Sequence, residues 1–148
     1  MNEQASKAYT GLMMSTWDLF RHNQENWDDR FLFQKVIGQY GEPVLDVGCA
    51  TGRLLLTYLK EGIAVEGVDN SAEMLALCRE KAKKAELHPT LYQQRMEQLS
   101  LPRTYKTIIV SSSSFQLLTD LDARREAMDR FHLHLDRGGA LVMPFMTL

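Results

Sequence analysis

The sequence predicts a three-layer α/β fold, a mainly parallel sheet with helices on both faces. Three observations carry that expectation. The run Val44-Leu45-Asp46-Val47-Gly48-Cys49-Ala50-Thr51-Gly52 reads as a short apolar strand and a tight small-residue turn, and Arg53 with three leucines then opens a helix. A second strand, Ile63-Ala64-Val65-Glu66-Gly67-Val68-Asp69, closes on an acid 17 residues after Gly52. A further run, Tyr105-Lys106-Thr107-Ile108-Ile109-Val110, is of strand length and rich in β-branched residues.

Residues 1–42 are expected to form an N-terminal helical cap ahead of a core at 43–148. Tyr9, Leu12, Met13, Thr16, Trp17 and Phe20 recur at the spacing of one helical face. A second helix is expected from about Asn26, with Phe33, Val36, Ile37 and Tyr40 on one face and Gly41 and Pro43 ending it. These aromatic stripes either cover a ligand or pack on the sheet.

The turn after the first strand puts backbone N–H groups and a helix N-terminus at the C-terminal end of a strand, where nucleotide-like cofactors bind in open α/β sheets. Gly48 and Gly52 are expected to let the chain turn sharply and a ligand come close to the backbone. A dinucleotide fingerprint needs G-x-G-x-x-G, but Ala50 stands at its second glycine and Arg53 at its third. No Gly-Lys-Ser/Thr follows, which removes a P-loop. Asp46, two residues before Gly48, suits a ligand with a cationic end.

Asp69, at the end of the second strand, is placed to accept hydrogen bonds from both hydroxyls of a ribose; the alternative is an acid that caps the next helix. Because it closes a strand, its loss is expected to cost ligand binding and spare the fold. Asn70, with Glu73 three residues on, gives a capping signal for that helix, and Met74, Leu77, Cys78 and Ala85 mark its inner face. Met74 would flank a base or simply pack inward.

On these residues the chain resembles the class I S-adenosylmethionine-dependent methyltransferases, whose first motif is an acid-x-G-x-G-x-G run. The resemblance covers residues 44 to 146 and implies a Rossmann-like sheet in the order 3-2-1-4-5. Its parallel strands would lie near 44–47, 63–69, 90–94, 105–110 and 140–146. It implies S-adenosyl-L-methionine as cofactor, held by Asp46, Gly48, Cys49, Ala50, Thr51, Gly52, Arg53, Asp69, Asn70, Met74, Arg95, Met96, Glu97 and Ser111. Two positions depart from the family. Arg95 stands where an acid commonly accepts from the adenine amino group, and Arg has donors only; the Met96 backbone remains able to pair with the ring. Lys106 replaces an acid that often opens the fourth strand. Ser111-Ser112-Ser113-Ser114 is similar to the loop at the cofactor's methionine end, and Leu135-Asp136-Arg137-Gly138-Gly139-Ala140-Leu141 is similar to the family's helix-to-strand turn. Family members continue with a helix and strands six and seven, which are missing from this chain, ending as it does at Phe145-Met146-Thr147-Leu148.

The 148 residues suffice for one domain with a real core. A net charge of −2 gives no field that would recruit nucleic acid or anionic lipid, and no apolar stretch at the start reads as a signal peptide or membrane span. Arg79 to Lys84, broken by Glu80, reads as a solvated helix face. Two cysteines, Cys49 and Cys78, give no disulfide framework or metal spacing and suit a reducing, cytoplasmic setting. His132 and His134 lie two apart on a helix and so diverge, and no metal is expected.

The function expected is methyl transfer to an N, O or C nucleophile of a small molecule. Such a displacement needs a base only if the acceptor holds its proton, so no catalytic residue is assigned, although Tyr9 and His22 are conceivable on the acceptor side. A non-catalytic or partner-completed S-adenosylmethionine-binding module is the alternative, and an NAD-linked oxidoreductase shares the same strand–helix logic. The apolar run Ala140-Leu141-Val142-Met143 in strand five is expected to favour self-association or aggregation through a bare edge.

Overall fold

The computed structural model describes residues 29–111 and 114–145. The chain runs through helix α1 (Asp29–Tyr40), strand β1 (Val44–Val47), α2 (Arg53–Lys60), β2 (Val65–Asp69), α3 (Ala72–Lys84) and β3 (Leu91–Gln93). A 3₁₀ turn (Met96–Gln98), β4 (Tyr105–Val110), a second 3₁₀ turn (Ser114–Leu117), α4 (Leu121–His134) and β5 (Leu135–Val142) follow. The expected first helix, with Tyr9 and Trp17, and His22 lie outside the described residues, as does Asn26.

The five strands pair in parallel in the order β3-β2-β1-β4-β5. Alternation along the strands divides the core into two layers. Val44, Val65 and Ile109 face Phe33 and Ile37 of α1, Leu54–Leu56 and Tyr58 of α2, and Cys78 and Ala82 of α3. Leu45, Val47, Val68, Ile108 and Val110 face Ala123, Ala127 and Phe131 of α4, with Leu99 and Phe115. Central strands are buried on both faces, which is why β1 and β4 read as strands without strict apolar–polar alternation. Order reverses between β1 and β4, and the crevice beyond their C-terminal ends is the natural ligand site of such a sheet.

Four details differ from the sequence reading. The cap of α3 is Ser71 and not Asn70: the Ser71 hydroxyl accepts from the Met74 N–H at 3.2 Å, which places Glu73 one position short of a capping box. The inner face of α3 runs through Met74, Leu75, Cys78 and Ala82, whereas Leu77 and Ala85 are only half-buried. In α1, Phe33 and Ile37 are buried but Tyr40 is exposed, because the last turn runs past the sheet. Strand β5 begins at Leu135, directly after α4, and not at 140. Leu135 pairs with Tyr105 and Ala140 with Thr107, five positions against two, so the glycine pair 138–139 sits in a bulge inside the ladder.

Candidate functional site

The site is built where β1 ends. Asp46 is the third residue of β1, and alternation turns its side chain to the same face as Val44, toward α1, α2 and α3. It is 1% exposed, and its Oδ1 has no hydrogen-bond partner among the described residues. Burial pushes its carboxyl up to about 7; the Arg53 guanidinium opposes that rise, while Asp69 and Asp29 add to it. A buried carboxylate oxygen without a partner is costly and calls for a cation.

The turn from Gly48 to Gly52 carries the chain from β1 into α2. Gly48, Ala50 and Gly52 all have positive φ, at 73°, 50° and 93°. The sequence reading gave the two glycines to ligand approach, but the space at each belongs to the protein. A Cβ on Gly48 would lie 2.9 Å from Ser114 Oγ, and one on Gly52 would lie 2.7 Å from Cys78 Sγ. These glycines let the serine loop and α3 close on the turn. Gly52 caps α2 and, having no side chain, brings no capping oxygen to the N–H groups of the first helical turn.

Asp69 closes β2 beside this turn. Its Oδ2 accepts from the Ala50 N–H at 2.9 Å and its Oδ1 from the Ser71 N–H at 2.8 Å. Burial raises its pKa, and the backbone N–H groups of Ser71, Ala50 and Asn70 restrain the rise. A carboxylate has about four acceptor positions, and the backbone N–H groups of Ala50, Ser71 and Asn70 draw on this one. Asp69 thereby ties the turn to the segment that opens α3, whose cap is Ser71 and not Asp69.

The other candidates fall around this centre. Thr51 is buried and accepts from Lys81 Nζ at 3.2 Å. Cys49 is buried, and its thiol is pushed well up by burial. Arg53, the first residue of α2, makes a bidentate pair with Asp29 at 2.7 and 2.8 Å. Asn70 is half-buried. Met74 is fully buried in the core, which is the inward-packing option. Beyond β3, Arg95 opens the 3₁₀ turn and Met96 packs on the α4 layer. Glu97 is buried, with neither carboxylate oxygen partnered among the described residues. Ser111, buried at the end of β4, accepts from the Ser114 N–H and hydroxyl at 3.1 and 2.8 Å.

Sequence reasoning missed Asp29, Ser71 and Lys81 as parts of this architecture. Ser71 was visible as a second capping residue next to Asn70; Asp29 and Lys81 reach the turn from 24 and 30 residues away in the chain, and no local pattern marks that. His134 is occupied structurally: its Nε2 accepts from the Leu101 N–H at 3.0 Å, and its Nδ1 lies 2.7 Å from the Arg130 carbonyl. Among the described residues, no cluster of three or more His, Cys, Asp or Glu could hold a metal.

Residues 44–139 match the methyltransferase domain family. A parallel sheet in the order 3-2-1-4-5, a glycine turn after β1 and an acid closing β2 complete the assignment: the chain belongs to the class I S-adenosylmethionine-dependent methyltransferases. It is 33% identical over 113 residues to a Geobacillus sp. (strain WCH70) protein named as a methyltransferase, covering 74% of this chain and 46% of that one. It is 31% identical over 100 residues to a Streptomyces venezuelae dTDP-3-amino-3,4,6-trideoxy-alpha-D-glucopyranose N,N-dimethyltransferase, covering 68% of this chain and 40% of that one. Among solved structures, the glycopeptide N-methyltransferase MtfA, complexed with S-adenosylmethionine, superposes with a TM-score of 0.69 at 28% identity over 78% of this chain and 52% of its own. The chain thus spans about half the length of the curated relatives it matches.

Proposed function

We propose that this chain is the cofactor-binding part of an S-adenosylmethionine-dependent methyltransferase that methylates an N, O or C nucleophile of a small molecule. The observation that carries the reading is the pair of buried acids at adjacent strand ends. Asp46 offers an ammonium a carboxylate oxygen that is unpartnered among the described residues, and Asp69 is the acceptor for the ribose hydroxyls at the end of the neighbouring strand. The N–H groups at the start of α2 and the turn 48–52 line the space between them. Asn70 borders the ribose end, the Met96 backbone and its neighbours Arg95 and Glu97 border the adenine, and Ser111 borders the methionine end.

When bound, the cofactor would supply an electrophilic methyl on a sulfonium, whose transfer to an acceptor lone pair would break the methyl–sulfur bond and leave the sulfur as a neutral thioether. The protein's part is to hold both partners aligned and exclude water, which can supply much of the rate without a dedicated base. The relatives named for amine methylation, on a nucleotide-linked sugar and on a glycopeptide, support a small-molecule acceptor. The proposed N-terminal cap includes Asp29–Tyr40, which is anchored on the sheet through Phe33 and Ile37. No helix among the described residues is long and apolar enough to cross a membrane, and two buried free cysteines suit a reducing cytoplasm.

Thermal-shift titrations with S-adenosylmethionine and with NAD, followed by turnover against amine, hydroxyl and carboxyl acceptors, test the reading. Stabilisation by the first ligand and methylation of one acceptor class are expected. Stabilisation by NAD alone would overturn it.

A further inference from the structure

Among the described residues, the buried side-chain nitrogen and oxygen atoms left without a hydrogen-bond partner are all carboxylate oxygens: Asp46 Oδ1 and both oxygens of Glu97. What the folded chain leaves unmet at these two places is donors alone. Asp46 is answered by the ammonium of the reading above. Glu97, 5% exposed, is not.

The fold places Glu97 at the edge of the crevice. Gln93 pairs with Asp69 in the last rung of the β2–β3 ladder, and the Gln94 N–H still donates to the Asp69 carbonyl at 3.1 Å. The 3₁₀ turn Met96–Gln98 begins two residues further on, so it leaves the sheet just past the ribose acid, beyond the C-terminal ends of the strands.

The loop around Glu97 is fastened without it. The Gln94 side chain accepts from the Ser100 N–H at 2.8 Å and donates to the Ser100 carbonyl at 3.0 Å, which closes the loop at its base. Inside it, the Gln98 N–H donates to the Arg95 carbonyl at 3.0 Å, and just past it the Leu101 N–H donates to His134 Nε2 at 3.0 Å. Leu99 is fully buried, and Met96 packs on the same α4 layer. None of these bonds runs through the Glu97 carboxylate. An acid that served only the fold would bond a donor or face water, because burying an unpaired carboxylate is costly.

Resting on the reading of the crevice as the S-adenosylmethionine site, we propose that Glu97 is the acceptor that reads the exocyclic amino group of the adenine, and so sets the preference for an aminopurine. The two acids with unpartnered oxygens then meet the two donor-bearing ends of one ligand, Asp46 the ammonium and Glu97 the amino group. Arg95 has donors only and cannot make this contact. An amino group carries two N–H donors, so Glu97 takes one and leaves the second for the side chain at position 95.

Calorimetry of S-adenosylhomocysteine, and of its analogue with hydrogen in place of the amino group, tests this on the full chain. The analogue keeps the ring nitrogens and the ribose, so the ratio of the two affinities isolates the amino contact. The parent is expected to prefer the amino ligand by about tenfold or more, the worth of a hydrogen bond to a charged acceptor. Glu97→Ala is expected to bring the two affinities together. Glu97→Gln keeps the shape and one neutral acceptor, and its ratio is expected to fall between. It is also expected to unfold at the same or higher urea concentration than the parent, because it removes a buried charge without breaking a bond of the loop, and so guards against a poorly packed Glu97→Ala. A parent ratio near one, or a ratio that persists in both variants, overturns the assignment of Glu97. Failure of the parent to bind either ligand overturns the cofactor reading on which the assignment rests.

Discussion

The backbone N–H of Ala50 donates to Asp69 Oδ2 at 2.9 Å, and Ala50 is held there at φ 50°, a left-handed conformation that alanine seldom adopts. Ala50 stands where the family pattern has its central glycine. The backbone has kept the glycine's shape, and the acid at the end of β2 holds it in place. The carboxylate read from the sequence as a ligand group is a structural clasp between β2 and the turn.

Strain at Ala50 is worth about 1–2 kcal/mol, part of which is offset by the lower entropy of an unfolded chain carrying Ala in place of Gly. Ala50→Gly is accordingly expected to stabilise the cofactor-free chain by about 1 kcal/mol, raising the thermal midpoint by about 2–4 °C. Urea titration of both proteins checks this; an unchanged or lower midpoint would show that the turn is not strained.

Asp69→Ala leaves the N–H groups of Ala50 and Ser71 without their acceptor. A stranded buried donor costs about 1–3 kcal/mol, reduced where water reaches it. The variant is thus expected to fold but to unfold at lower denaturant concentration than the parent. Asp69→Asn keeps one carbonyl oxygen and is expected to fall between the two. The expectation that losing a strand-terminal acid would spare the fold thus becomes a measurable cost.

Asp46 gives the chain a pH dependence whose sign is fixed. Its pKa is 3.8 in an unfolded chain and about 7 when buried, so between these values the folded state binds the proton more strongly. Stability of the cofactor-free protein should fall as pH rises through that window. Asp46→Asn carries no such charge and is expected to match the parent near pH 4. Above pH 7 it should exceed it by on the order of a few kcal/mol. Chemical denaturation at several pH values checks this, and parallel curves for the two proteins would contradict it.

Much of this fold was legible because its signals are local. β1 and β4 are short runs rich in β-branched and apolar residues, broken by Asp46 in the first and by Lys106 and Thr107 in the second, and the turn at 48–52 announces itself by its small residues. β5 was set five residues late because Gly138-Gly139 looks like the end of a turn; only the pairing of Leu135 with Tyr105 shows that the ladder has already begun. In the site, Asp46 and Asp69 were read by type and position along the chain. The Asp29–Arg53 pair and the hydroxyl of Ser114 over Gly48 depend on how separate segments pack, which no spacing in the sequence records.

In the proposed site, Arg95 stands at the position of the adenine amino group and offers it donors only. Arg95→Asp is expected to tighten S-adenosylmethionine binding by up to about 1.5 kcal/mol. Calorimetry showing equal or weaker affinity would mean that another group, such as the unpartnered Glu97, already takes that position.

Strand β5 pairs with β4 alone among the described strands, and Leu133 and Phe145 on either side of it are exposed. A bare edge of this kind invites pairing. The chain is expected to self-associate or aggregate as its concentration rises, read by light scattering; a monodisperse monomer throughout would show the edge to be covered.

The central claim is that the glycine turn and the two buried acids form one S-adenosylmethionine site. Calorimetric titration of the ligand into the parent chain and into Asp69→Ala, with folding of both verified by circular dichroism, tests it most directly. The account predicts one-to-one binding by the parent, weakened in the variant by one to several factors of ten at about 1.4 kcal/mol each. Equal affinity in the folded variant would contradict it.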